Sequence, residues 1–111
     1  MDYTRGDICL VDFNPAKGGE MGKLRPAILL SRSDELEALA TAIVIPLSSV
    51  VLKNSSPYRF FLKKREDLLV DSDACIYEIT ALSKQRIKKR VAKLSDDELA
   101  KIQASLCEIV G

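Results

Sequence analysis

Apolar and polar positions first fall into a pattern along Ile8 to Phe13, where Ile8, Leu10 and Asp12 interleave with Cys9, Val11 and Phe13. Both sets are largely apolar, which predicts a strand covered on two sides in a small barrel. Asn14 to Leu24 has no period and carries Pro15, Gly18, Gly19 and Gly22. It is too long and too rich in glycine for a hairpin turn, and is expected to be a functional or mobile loop. Pro26 to Leu30 reads as a short buried strand, with Pro26 at its first position where no ladder donor is needed. Ser33 is placed to cap a brief helix over Asp34 to Ala40, with Leu36 and Leu39 facing inward.

Thr41 to Leu47 is β-branched and apolar, a strand whose Pro46 puts its end at an edge or a bulge. Lys53-Asn54-Ser55-Ser56-Pro57 has the composition of a turn. Tyr58 to Leu62 alternates as a strand, and another is expected near Ala74 to Ile79. Ile87 to Leu94 divides between two readings. Ile87, Val91 and Leu94 fit a helical period, whereas strand alternation holds only locally, from Val91 to Leu94. The last element is plainest: Ser95 and Glu98 make a capping box, and Asp96 and Asp97 suit the positive end of a helix dipole. Leu99, Ile102, Leu106, Ile109 and Val110 then form one apolar stripe. Several short strands and a terminal helix point to a bent sheet or barrel with helices packed outside it.

Length adds that the 111 residues fit one domain, 1–111. Apolar residues at 47% and charged residues at 30% are ordinary for a globular chain. The absence of histidine excludes more. Ser-His-Asp and Cys-His nucleophiles, two-histidine ribonuclease chemistry and histidine-bearing zinc sites all drop out. Cys9, Cys75 and Cys107 are far apart, and read as small buried hydrophobes in a reducing cytosol. Residues 1–7 hold two acids and no apolar stretch, so no signal peptide is expected, and no run is long and apolar enough to span a bilayer. A cytoplasmic protein is the expectation.

Charge is balanced overall, with 17 Lys+Arg against 16 Asp+Glu. It is uneven along the chain: Lys84, Arg86, Lys88, Lys89, Arg90 and Lys93 cluster without an acid among them. Such a cluster is either solvated surface or a polyanion contact that adds phosphate affinity without sequence choice. Glu20 and Arg25 are the more specific pair. Pro26 biases Arg25 towards an extended backbone, and a planar, permanently charged fork suits a phosphate gaining negative charge in a transition state. The other reading of the two is a salt bridge that tidies the loop. Ser48, at a strand end, can hold a phosphate oxygen or serve as a turn residue; with no histidine beside it, it is a poor nucleophile. Tyr3, Tyr58 and Tyr77 are candidates for base stacking or for the core.

Three features together resemble the MazF/PemK/Kid toxins of bacterial toxin–antitoxin pairs. They are Arg5-Gly6-Asp7-Ile8 leading a strand, the Gly-x-Glu-x-x-x-x-Arg-Pro pattern over Gly18 to Pro26, and the run Thr41 to Ser49. The resemblance implies a mainly β fold with α: a small SH3-like barrel of the PemK/CcdB type, with short helices and an amphipathic C-terminal helix. It also implies a homodimer that cleaves single-stranded mRNA without a metal or other cofactor. Attack of the ribose 2′-hydroxyl on the adjacent phosphorus would leave a cyclic phosphate and a free 5′-hydroxyl. By the same resemblance Arg25 stabilises the phosphorane, Glu20 takes the 2′-hydroxyl proton, and Ser48 holds a phosphate oxygen where the family usually has threonine. Lys17, Lys23, Ser49, Lys53, Lys84 and Arg86 are expected to contact the RNA. An acidic, disordered antitoxin tail is the expected protein partner, lying across Arg25.

The chain departs from the family at Glu78-Ile79-Thr80-Ala81-Leu82-Ser83, where Thr80 replaces a usual arginine and Ser83 a usual aspartate. An inactive RNA-binding module is therefore one alternative. Another is a protein-binding inhibitor on the same barrel, like the gyrase poison CcdB. That family relies on a Trp-bearing C-terminus, whereas this chain ends Cys107-Glu108-Ile109-Val110-Gly111 and has no Trp.

Overall fold

The computed structural model describes residues 2–14 and 23–111. Among these, seven strands form one antiparallel sheet: β1 (Asp7–Asn14), β2 (Lys23–Leu29), β3 (Thr41–Ser48), β4 (Arg59–Leu62), β5 (Ser72–Cys75), β6 (Thr80–Ser83) and β7 (Ile87–Lys93). Helix α1 (Ser33–Ala38) follows β2, and α2 (Asp96–Val110) follows β7. The strands run β4-β5-β3-β2-β1-β7, with β6 paired to β3. The sheet is bent but not closed into a barrel, since β4 and β7 end the order on opposite sides. The Arg65–Leu68 bridge lies between them, and the Asp67 N–H donates to the Val91 carbonyl at 2.9 Å. No helix among the described residues is long and apolar enough to cross a membrane.

Alternation along the strands makes two cores. Ile8, Ile28, Ile45, Leu47 and Ala74 point to one face, where α2 covers them with Ile102 and, at its margin, Leu99, Leu106 and Ile109. Cys9, Val11, Ala27, Leu29, Ala42 and Val44 point to the other, joined by Tyr3, Phe13, Leu36 and Leu82. β1 is therefore apolar on both sides, as its sequence requires. Val110 is the exception in the stripe of α2: it sits in the last turn, beyond the sheet, and is 72% exposed. The capping box forms, with the Glu98 N–H donating to Ser95 Oγ at 3.1 Å and the Ser95 N–H to Glu98 Oε1 at 2.9 Å.

Strand boundaries differ from the sequence reading wherever neighbours change. β2 begins at Lys23, so Pro26 lies inside the strand, opposite Leu10. Pairing with β3 begins only at Ala27, so Pro26 has a single strand neighbour and its missing donor breaks no second ladder. Pro46 lies inside a central strand, not at its end. β6 pairs with Thr41–Val44 and β5 with Leu47 and Ser48, leaving Pro46 in the gap between them. The strand expected near Ala74 to Ile79 is broken by a 3₁₀ turn at Ile76–Glu78. β5 sets Leu47 opposite Ala74 and β6 sets Val44 opposite Thr80, a register change of three residues that matches the three-residue turn.

β7 is a strand, which resolves the ambiguity of Ile87 to Leu94. The register shift against β1 between Ile8 and Cys9 lets both Val91 and Ala92 face the α2 core, and so erases strict alternation. α1 starts one residue early. Arg32 occupies the cap position and its N–H donates to Glu35 Oε1 at 2.8 Å, so Ser33 is helical and caps nothing. Leu36 packs inward as expected, but Leu39 falls past the helix end and is exposed. Cys9 and Cys75 are buried, whereas Cys107 is exposed on α2. Burial and the Asp7 carboxylate push the Cys9 thiol up to about 12, and burial raises Cys75 as well, so neither supplies a thiolate.

Arg5-Gly6-Asp7 is a structural clamp. Gly6 takes φ +94°, its N–H donates to Leu29 O at 2.8 Å and its carbonyl accepts from Leu94 N at 2.9 Å. Arg5 Nε donates to Leu30 O at 2.6 Å, and buried Asp7 accepts from Thr4 N at 2.9 Å. One short motif thus ties β1 to β2 and to the end of β7.

Candidate functional site

Pairing between β2 and β3 sets Leu29 opposite Val44, Ile28 opposite Ile45 and Ala27 opposite Pro46. Continued by two residues, that register brings Arg25 opposite Ser48. Period-two alternation puts both on the face of Ala27 and Val44. On its other side, Arg25 pairs with Val11, and Val11 pairs with Ile87. Ser48 pairs with Asp73, and Asp73 with Phe61. Two paired rows, Ile87–Val11–Arg25 and Ser48–Asp73–Phe61, therefore run in line with each other, although β2 and β3 stop pairing at Ala27 and Pro46. Val11 and Ile87 are a buried apolar floor and Asp73 is buried at the other side; Arg25 is exposed and Ser48 half-buried between them.

Ser48 leads a tight turn. Its Oγ accepts the Val50 N–H at 3.1 Å and lies 3.4 Å from the Val50 carbonyl. Ser49 is exposed within this turn, and Lys53 follows on the loop leading to β4. The loop is held from below by Asp73, which is 1% exposed. Asp73 Oδ2 accepts from Leu52 N at 2.8 Å and from Arg59 Nη1 at 3.2 Å; the same Arg59 nitrogen donates to the Val50 carbonyl at 3.0 Å. An open groove of about 700 Å³ runs alongside, lined by Leu52, Lys53, Ser55, Arg59, Phe61 and Asp73 among others. Asp73 and Arg59 went unnoticed in the sequence. The available signal was a lone acid in the apolar run Ser72-Asp73-Ala74-Cys75-Ile76, since a charge is buried only with a partner.

The other expected site residues divide. Lys17 and Glu20 lie outside the described residues. Lys23 is the first residue of β2, opposite Asn14. Arg86 Nη1 donates to the Asp12 carbonyl at 3.1 Å, and its neighbour Ile87 lies two strands, roughly 10 Å, from Arg25. Arg86 thus sits at the same end of the sheet. Lys84 begins the same 3₁₀ turn, Lys84–Arg86, after Ser83, which pairs with Thr41, but its side chain turns to α1. Its Nζ donates to the carbonyls of Leu36 and Glu37 at 2.8 and 3.3 Å, where it completes the C-terminal end of α1. A second groove of about 450 Å³, lined by Tyr3, Leu36, Lys84 and Ile87 among others, runs from α1 to the start of β7. Tyr58 and Tyr77 are exposed and meet edge to face, with ring centroids 5.7 Å apart. Thr80 lies opposite Val44, and Ser83 Oγ accepts from Gln85 N at 3.3 Å, which caps the turn into β7.

The chain and its fold match known proteins. A family model described as the PemK-like, MazF-like toxin of type II toxin-antitoxin systems matches residues 4–110. Among solved structures, MazF (Form-I) from Deinococcus radiodurans superposes with a TM-score of 0.78 at 20% identity, over 100% of this chain and 98% of that one. A MazE–MazF structure (Form-II) from the same organism gives 0.81 at 20% identity, covering 100% and 97%. An endoribonuclease in complex with its cognate antitoxin, from a mycobacterial species, gives 0.72 at 15% identity, covering 99% and 94%.

Proposed function

The chain belongs to the PemK-like, MazF-like toxins of type II toxin–antitoxin systems, and from that premise we propose that it is a metal-independent endoribonuclease acting on single-stranded mRNA at a short sequence motif. The observation that supports the reading most is the Ala27–Pro46 register of β2 and β3, which, carried on two residues, sets Arg25 and Ser48 side by side on one face. A scissile phosphate seated between them meets a guanidinium fork on one side and a hydroxyl donor on the other. Both stabilise charge that grows on the non-bridging oxygens, and neither changes protonation during the reaction.

The ribose 2′-oxygen attacks phosphorus, the P–O5′ bond breaks, and the products are a 2′,3′-cyclic phosphate and a 5′-hydroxyl. The 2′-hydroxyl proton goes to a base, and the departing 5′-oxygen takes up a proton in turn. Glu20 is the base assigned by resemblance to the family motif Gly18 to Pro26. A chain without histidine needs a carboxylate there, and Glu20 precedes Arg25 by five residues. Ser49 and Lys53 on the loop and Arg86 beside Ile87 extend the polar rim along which a strand of RNA can run, with Lys23 a further expected contact. Thr80 and Ser83 lie along the first half of β3, so their departure from the family pattern takes no group away from the Arg25–Ser48 pair. That favours an active enzyme over an inert binding module.

The solved relatives include complexes with MazE and with a cognate antitoxin. By the same reasoning this chain takes a cognate acidic antitoxin, works as a homodimer and acts in the cytoplasm on mRNA. Adding such an antitoxin should suppress cleavage stoichiometrically. The direct test of the activity is cleavage of single-stranded RNA in EDTA by the purified chain and by Arg25→Ala. Cutting by the first and not by the folded second supports the reading; no cutting of any long RNA by the first overturns it.

A further inference from the structure

We infer that Asp73 and Arg59 form a positioning pair that aims the Ser48 hydroxyl at the phosphate; this rests on the endoribonuclease reading above. Ser48 Oγ already accepts the Val50 N–H at 3.1 Å, so what it has left to offer is its proton. Within the turn that proton is donated to the Val50 carbonyl, over a long 3.4 Å. Arg59 Nη1 engages the same carbonyl at 3.0 Å, closer and with a charged donor. The carbonyl accepts from both, and the longer serine bond is the weaker of the two, so it is the one given up when a phosphate oxygen arrives on the Arg25 side.

Arg59 in turn is fixed by Asp73. The Asp73 side chain is only 2% exposed and that of Arg59 22%, so the ion pair is largely shielded from water and its geometry holds. Asp73 Oδ2 also takes the Leu52 N–H at 2.8 Å, which pins the turn two residues beyond Val50. Backbone pairing sets Asp73 directly opposite Ser48. One carboxylate therefore determines where the serine backbone lies, where its turn ends and where Arg59 points. Without Arg59 the Val50 carbonyl is held by the serine alone and keeps the serine proton more firmly; without Asp73 both Leu52 and Arg59 lose their anchor.

The test is a kinetic cycle on single-stranded RNA with the full chain: wild type, Asp73→Asn, Arg59→Ala, Ser48→Ala, and each of the first two combined with Ser48→Ala. Failure of wild type to cleave overturns the underlying reading, and is seen before any variant is compared. With a cleaving wild type, each pair variant should lose about tenfold or more in kcat, with KM changed by less than about threefold. Each loss should vanish in the Ser48→Ala background, because the pair acts through that hydroxyl. Losses that multiply in the double variants, or wild-type kcat in the single ones, overturn the inference. So does a rise in KM alone, which would mean that Arg59 touches the RNA itself. Thermal melts run alongside; if Arg59→Ala is unfolded at the assay temperature, Arg59→Lys takes its place. It should show a smaller kcat loss that again disappears with Ser48→Ala, and a loss that persists counts against the pair.

Discussion

The Arg65 guanidinium holds both carboxylate oxygens of Glu98, one of them at 2.8 Å, and so fastens the first turn of α2 to the segment that bridges β4 and β7. Glu98 also closes the capping box with Ser95, so one side chain both starts the helix and docks it. The hydrogen bonds from Arg65 hold the Glu98 carboxyl below its usual range. A carboxylate whose folded pKa is depressed stabilises the fold above its unfolded value of about 4.3, and that contribution is lost as pH falls through the folded value. Chemical denaturation between pH 7 and pH 3 should therefore show a stability loss that Glu98→Gln largely removes. At pH 7, Glu98→Ala should cost about 2 kcal/mol, or roughly 10 °C in Tm.

The two lysines at opposite ends of β3 should behave differently. Lys53 lines the groove beside Ser48, whereas the Lys84 ammonium is engaged by the carbonyls of α1. Lys53→Ala should weaken RNA binding and lower the slope of log K against log salt by about 0.7, the value for one phosphate on a single strand. Lys84→Ala should leave that slope in place and cost about 1 kcal/mol of stability. Filter binding at several salt concentrations, with a melt for each variant, separates the two.

Ser48 supplies a donor and not a nucleophile. Ser48→Ala should lower kcat roughly 10- to 100-fold, the loss of one hydrogen bond to a charged group. Ser48→Thr keeps the hydroxyl and restricts its rotamers, so it should retain activity. Steady-state cleavage of a short RNA measures both; inactivity of Ser48→Thr together with full activity of Ser48→Ala would contradict this role.

The cysteines give a check on the fold that is independent of RNA. Cys107 is exposed on α2, whereas Cys9 and Cys75 are buried and their thiols are raised. In native protein at neutral pH, iodoacetamide should modify Cys107 alone, and the other two only on unfolding. Peptide mapping after brief labelling reads this directly.

Elements with a clean period were legible in the sequence, and those shaped by a change of neighbour were not. The stripe and capping box of α2 are local, so Ser95, Glu98 and Ile102 announce them. β7 resisted assignment because the register shift between Ile8 and Cys9 leaves Val91 without a partner on β1 and on the same face as Ala92. Pro26 and Pro46 were read as strand ends because a missing donor is usually tolerated only there; the sheet instead accommodates each where one neighbouring ladder is absent. In the site, Arg25 and Ser48 could be named from residue type and family resemblance. Their placement in line depends on the β2–β3 register at Ala27 and Pro46, which no local pattern encodes. Asp73 and Arg59 are 14 residues apart in the chain, and only the pairing of β4 with β5 makes them partners.

The most direct measurement incubates the purified chain with a single-stranded RNA in EDTA, and with the same RNA bearing a 2′-deoxyribose at the cleaved position, and identifies the product ends by mass spectrometry. The account predicts a 2′,3′-cyclic phosphate and a 5′-hydroxyl from the first RNA. It predicts no product from the second, none from folded Arg25→Ala, and a pH–rate profile without an imidazole limb. Intact RNA with the wild-type chain, or cleavage undiminished in Arg25→Ala, would contradict it.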